Sequence, residues 1–206
     1  MRNIRPCIAI LVLAAGLAAG WTPAWGAPIM PQSYEMINGG ASTLNYWDDS
    51  YNGSGNKTVS YDKLSGGLGE LTDGVIASQN WFDSPGPYVG WNNSHTPVIT
   101  FHFSTKVTIN TINVYVDDSN GAGSVNLPGS VRIQMGSYDN SFVVSELAGA
   151  EPKLLQYTGL NLSGRELVLT LNHRTGAIWL MASEITFDGT ATPEPLPAIL
   201  SLLLGD

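Results

Sequence analysis

Five stretches of the chain alternate apolar and polar side chains with a period of two, and this pattern constrains the fold more than any other feature. Ile99, Phe101 and Phe103 fall on one side of a strand, with Thr100 and His102 on the other. Ile112, Val114 and Val116 repeat the pattern, as do Val131, Ile133 and Met135, then Leu167, Leu169 and Leu171, and finally Ile185 with Phe187. Successive side chains of a strand point to opposite faces, so each stretch buries one face and leaves the other wet. After the N-terminal region no segment sustains a 3.6-residue period over three turns. Turn-forming clusters stand between the strands at Asp118 to Gly123, Leu127-Pro128-Gly129 and Asn172 to Gly176. The pattern predicts an antiparallel all-β sandwich or barrel without internal repeats. Residues 52–69, rich in Gly, Ser and Asn, read as a long surface loop.

Arg2 and Arg5, the uncharged run from Cys7 to Gly20 and the small residues around Ala24-Trp25-Gly26 have the order of a secretory signal peptide. Residues 1–26 are therefore expected to be removed by signal peptidase after Gly26. The run is too short for the roughly 20 apolar residues of a membrane span. The remaining 180 residues (206 minus 26) suit one domain with its own core. They carry 7 Lys+Arg against 17 Asp+Glu once Arg2 and Arg5 are gone, a formal charge of −10 (7 minus 17). So acidic a chain excludes nucleic acid as a partner, because phosphate binding needs a basic surface. The single cysteine, Cys7, lies inside the leader, so disulfides, cysteine-bound zinc and thiol catalysis are excluded from the exported domain.

Tyr46, Trp47, Tyr51, Trp81, Phe82, Tyr88 and Trp91 crowd the region ahead of the first long strand, among Asp48, Asp49, Asn80, Asp83, Asn92, Asn93 and His95. An aromatic face stacks on the apolar side of a sugar ring while amides, carboxylates and imidazole hold its hydroxyls. Trp47, Phe82, Tyr88, Trp91, Asn92 and His95 are accordingly the candidate ligand-binding residues. The alternative for Trp81 and Trp91 is that they plug the ends of the sandwich. Asp117 and Asp118 read as turn residues that could also meet a sugar hydroxyl or a cation. No phosphate loop, nucleophile elbow or His-x-x-x-His pair is present, and no catalytic residue is assigned.

The domain resembles the galactose-binding-like jelly roll of discoidin domains, coagulation-factor type C domains and family 32 carbohydrate-binding modules. The resemblance spans residues 34–189. It rests on Gly69-Glu70-Leu71-Thr72-Asp73-Gly74, on Trp91 ahead of Pro97-Val98-Ile99-Thr100-Phe101, on Leu127-Pro128-Gly129-Ser130-Val131-Arg132-Ile133, and on Ala182-Ser183-Glu184-Ile185-Thr186-Phe187-Asp188-Gly189. It implies a structural calcium ion between the Asp-Gly turn and the closing strand, with Asp73, Ser78 and Glu184 as ligands and carbonyls near Leu71 and Gly74 completing the shell. The alternative is that Asp73 caps a tight turn and Glu184 faces solvent.

Pro193-Glu194-Pro195 and the apolar run Leu196 to Leu204 resemble the start of a PEP-CTERM sorting signal of Gram-negative bacteria that make exopolysaccharide. The match departs from the family in lacking the long helix and terminal basic cluster that an exosortase reads. The domains expected are thus a leader over 1–26, a β-sandwich over 27–189 and a tail over 190–206. The functional expectation is an exported, non-catalytic module binding an extracellular polysaccharide or glycan in the periplasm, at the cell surface or in the matrix. A structural matrix protein without a small-ligand site is the alternative, and a glycan hydrolase ranks below both.

Overall fold

The computed structural model describes residues 27–192, so the expected leader and the Pro193-Glu194-Pro195 tail lie outside the described residues. Nine strands form in chain order: β1 (Ala27–Ile29), β2 (Ser33–Ile37), β3 (Lys63–Gly67), β4 (Val89–Asn92), β5 (Val98–Val116), β6 (Ser130–Met135), β7 (Tyr138–Val143), β8 (Lys153–Asn172) and β9 (Trp179–Ala191). Every pairing between these strands is antiparallel.

The architecture depends on β5 and β8, which run for 19 and 20 residues and belong to both layers of the sandwich. Their mutual register breaks between His102 and Val107. Before the break, β5 pairs with β2 on one side and with residues 166–170 of β8 on the other. Together with β3, β6 and β7 these make the first layer, in the order β3-β2-β5-β8-β6-β7. Beyond the break, β5 pairs with β9 and with residues 153–164 of β8, and β1 and β4 extend β9 into the second layer. An irregularity at such a point bends a long strand and lets it turn the corner of a sandwich.

The five alternating stretches lie in strands, with their apolar sides inward. Ile99, Phe101, Ile112, Val114, Val131, Ile133, Leu167, Leu169, Leu171, Ile185 and Phe187 join one core. Phe187 wedges the layers together, with its ring 4.9 Å from Phe101 and 5.6 Å from Phe103, both edge-on. Residues 52–69 depart from the expected loop: Leu64 is fully buried and pairs with Met36, so β3 occupies the second half of that stretch. Its glycines hide a strand whose one large apolar side chain suffices to anchor it.

β4 and β9 position the loop-bearing end. Val89 and Trp91 face the main core with Ala182 and Leu180, their partners across the pair. Gly90, Asn92, Met181 and Trp179 occupy the opposite face, since alternate residues alternate sides. Tyr46 lies over that face so closely that a β-carbon on Gly90 would sit 2.9 Å from the Tyr46 Cβ. A second, smaller core of Tyr46, Ala77, Tyr88, Val125 and Met181 results, with Trp81 and Trp179 packed against it.

Phe187→Ala should lower the unfolding free energy in urea by about 3–5 kcal/mol, because it removes the ring that keys both layers. A loss below about 1 kcal/mol would show that the layers are not wedged there.

Candidate functional site

The loop-bearing end is organised around carboxylates withdrawn from water. Asp48 is fully buried and accepts the Tyr34 hydroxyl at one oxygen and the Glu70 N–H at the other, 2.9 Å away. Its own N–H donates to Asn38 Oδ1 at 2.9 Å. Glu70 is 6% exposed, and its Oε2 has no hydrogen-bond partner. On the closing strand, the β5–β9 register passes from Tyr115 opposite Glu184 to Val116 opposite Ala182, leaving Ser183 as the extra residue of a bulge. The bulge serves the turn: Glu184 Oε2 accepts the Gly74 N–H at 3.1 Å, and Ser183 Oγ accepts the Ala77 N–H at 3.3 Å.

An open cavity of about 340 Å³ lies against this turn, with Ser50, Glu70, Asp73, Ser78, Ser84 and Pro87 in its walls. Burial, then the neighbouring Asp49 and Asp48 carboxylates, push the Glu70 carboxyl up to about 9. Burial raises Glu184 to about 7, reinforced by Asp73 and opposed by the Gly74 N–H. Burial also raises Asp48. Orphaned oxygen, serine hydroxyls and crowded carboxylates are donor types that a hard divalent cation takes. Among the described residues no three His, Cys, Asp or Glu side chains meet at a spacing that could hold a metal ion. Of the expected ligands, Asp73 and Ser78 line the cavity and Glu184 is tied to its turn. Asp73 Oδ1 also accepts the Val75 N–H at 2.8 Å, so it caps the turn as well. A larger cleft of about 610 Å³ beside β1 and the β5 bend has no titratable side chain in its walls and carries no comparable chemistry.

Beyond the cavity runs a line of aromatic rings. Phe82 meets Trp81 edge-on at 5.8 Å, Trp81 meets Tyr46 at 6.0 Å, and Tyr46 meets Trp179 at 5.3 Å. Trp179 stands beside Asn92, its partner across β4 and β9. Asn92 Oδ1 lies 3.1 Å from His95 Nδ1, and the His95 ring stacks on Tyr61 at 3.7 Å with 7° between the planes. Trp47, half-buried, donates its indole N–H to Ser60 Oγ at 3.1 Å, next to Tyr61. Phe82 is 51% exposed, the most open ring of the line.

Buried polar groups hold the aromatic tip in place. Asn80 Nδ2 donates to Asp117 Oδ1 at 2.9 Å, to the Asp118 carbonyl and to Ser119 Oγ, while the Trp81 N–H reaches Asp117 Oδ2 at 3.3 Å. Asp117 and Asp118 are thus interior anchors rather than exposed turn residues. Gly123 closes over the Trp81 indole with φ of 61°, where a β-carbon would fall 2.3 Å from Cζ2, so only glycine fits.

Trp47, Phe82, Asn92 and His95 therefore lie where a ligand could reach them. Tyr88 and Trp91 do not. Tyr88 is 1% exposed with its hydroxyl on the Gln79 carbonyl at 2.8 Å, and Trp91 is fully buried with its indole N–H on the Ile37 carbonyl at 2.9 Å. Each ring found an internal acceptor for its one polar atom, which makes burial favourable. Sequence reasoning missed Asp48, Glu70, Tyr61 and Trp179. Glu70 could have been found from its place three residues before Asp73, since both then flank one turn.

The fold and its loop-borne cavity define an antiparallel β-sandwich of the discoidin type. The chain belongs to the family of the discoidin domain-containing receptor 1/2 DS-like domain, whose sequence pattern matches residues 27–189. It is 24% identical over 164 residues to discoidin domain-containing receptor tyrosine kinase B of Caenorhabditis elegans, covering 73% of this chain and 20% of that protein. The chain thus spans about a fifth of the length of the curated relative it matches. Among solved structures it is similar to the C-terminal domain of a chitobiase from Bacteroides fragilis, at 14% identity and a TM-score of 0.48, covering 81% of this chain and 100% of that one. It is similar to a fucose binding module of Streptococcus pneumoniae at 13% identity and a TM-score of 0.45, covering 70% and 96%. A family 89 glycoside hydrolase from Clostridium perfringens matches at 13% identity and a TM-score of 0.47, covering 84% of this chain and 16% of that one.

Raised carboxyl pKa values mean that the native state holds protons the unfolded chain releases. Their stabilising effect is complete below the ordinary value of 4.5 and is lost as pH rises through about 7 for Glu184 and about 9 for Glu70. In chelator the thermal midpoint should therefore fall between pH 5 and pH 9. A midpoint that is flat or rising over that range, followed by calorimetry, would contradict the buried-acid assignment.

Proposed function

We propose that the domain is a non-catalytic glycan-binding module, with a structural calcium ion in the acidic cavity and its binding face along the aromatic line. The observation that carries this reading is the continuous run from Phe82 through Trp81 and Tyr46 to Trp179, bordered by Asn92 and His95. The Phe82 ring, 51% exposed at one end of that run, offers a stacking face, and Asn92 and His95 at the other end offer directed hydrogen bonds, the two things a sugar needs. The same groups offer no acid–base pair, which favours binding over hydrolysis. The leader-like N-terminus and a domain without cysteine support an exported protein, and the tail's character makes the cell's own exopolysaccharide the glycan at hand. The acidic balance favours neutral over anionic sugars.

A structural matrix role is the second reading, favoured by one observation: Tyr46, Tyr51, Tyr88 and Trp91 are interior packing residues. A glycan array on the full chain separates the two. We expect binding to a neutral sugar class that Phe82→Ala weakens about tenfold, or ~1.4 kcal/mol, with an unchanged melting temperature. A folded protein that binds no glycan would leave the matrix reading.

Calcium at 100 times its dissociation constant should stabilise the fold by about 2.7 kcal/mol. Glu184→Gln should abolish most of that gain in a denaturation titration. An unchanged melting curve with calcium and with chelator would remove the metal from the proposal.

A further inference from the structure

The aromatic line is anchored at its two ends on different strands. At one end Asn92 belongs to β4 and lies opposite Trp179 of β9, with His95 held beside it through Asn92 Oδ1. At the other end the Trp81 N–H reaches the Asp117 carboxylate. Asp117 directly continues β5, and its own N–H donates to the Met181 carbonyl of β9 at 3.0 Å. β4 and β5 flank β9 on opposite sides, so the two anchors stand two strand spacings apart, about 10 Å. The step from Trp179 to Met181 offsets them further along β9. Phe82, the outermost ring, meets Trp81 at 5.8 Å.

The middle of the line is packed rather than open. Tyr46 is 2% exposed, and Trp81 and Trp179 are half-buried. A ligand therefore finds its free ring face at Phe82 and its hydrogen-bonding groups at Asn92 and His95. A single pyranose is no wider than the aromatic ring it stacks on, so it does not reach from one end to the other. Nor does the protein shorten the gap. Asn80 ties the tip to Asp117, Asp118 and Ser119, Gly123 closes over the Trp81 indole, and β4 is laced to β9.

We propose that this face binds a glycan chain through at least three consecutive sugars, the outer two held at Phe82 and at Asn92 with His95, and the sugar between them acting as a spacer. This deepens the glycan reading above and rests on it. Once one end is engaged, contact at the other becomes intramolecular, so affinity climbs until the chain is long enough to span both and then levels off. Because the two ends are already fixed in place, little ordering of the protein offsets that gain.

Calorimetry on the full chain tests this with neutral oligosaccharide ladders, from the monosaccharide to the hexasaccharide, built from glucose, galactose, mannose or N-acetylglucosamine. In a ladder that binds, affinity should rise about tenfold or more between the monosaccharide and the tri- or tetrasaccharide, then stay level. Phe82→Ala should remove that rise with an unchanged melting temperature, and His95→Ala should remove it from the other end. A monosaccharide that binds as tightly as its hexasaccharide overturns the spanning inference and leaves the glycan reading standing. A length dependence that survives Phe82→Ala puts the chain on another surface and also overturns the inference. A folded protein that binds no ladder overturns the glycan reading and this inference together.

Discussion

The Asp48 carboxylate is the point on which the loop-bearing end depends. It takes the Tyr34 hydroxyl from the first layer, the Glu70 N–H from the turn ahead of the cavity, and sits on a segment fixed by Asn38. Two groups distant in sequence meet on its two oxygen atoms and a third holds its backbone N–H, inside a domain with no disulfide to join them. Burying a carboxylate is costly unless its lone pairs are filled, and here both oxygens are. The cost left over appears in Glu70, whose second oxygen stays unfilled. Asp118 Oδ2, also buried at this end of the molecule, is likewise without a partner.

Half of the sandwich was legible in the sequence, and the reason is physical. Strands β5, β6, β8 and β9 each keep one face dry with Ile, Val, Leu or Phe and the other wet, which is what alternation records. β4 shows no such signal because both of its faces are covered, by the main core on one side and by Tyr46 on the other. β3 is silent because Ser and Gly surround its single anchor, Leu64. The acidic turn was readable in outline, since Asp73 and Glu184 do approach each other through Gly74. Glu70 and Asp48 were not, because a carboxylate in a Gly-rich run, as at Glu70, or among polar loop residues, as at Asp48, looks solvated until the packing around it is known. Tyr88 and Trp91 fail in the opposite sense: their polar atoms found carbonyl partners, and nothing local announces that.

The bulge at Ser183 joins these observations. In a regular ladder Ser183 and Glu184 would project to opposite faces of the sheet. With the extra residue, both reach the same loop, one through a hydroxyl and the other through a carboxylate. The closing strand thus completes the core with Ile185 and Phe187 and, a residue earlier, governs the loop that bears the aromatic tip.

β1 pairs with β9, Ala27 opposite Gly189. A chain delivered from its N-terminus releases β1 first, and the partner of β1 is the last strand to emerge. No intermediate length of the chain can close the second layer, and contacts so far apart in sequence form slowly even when the whole chain is free. The domain therefore stays open until its last strand is available, and a strand made at the end closes the layer that the first strand began.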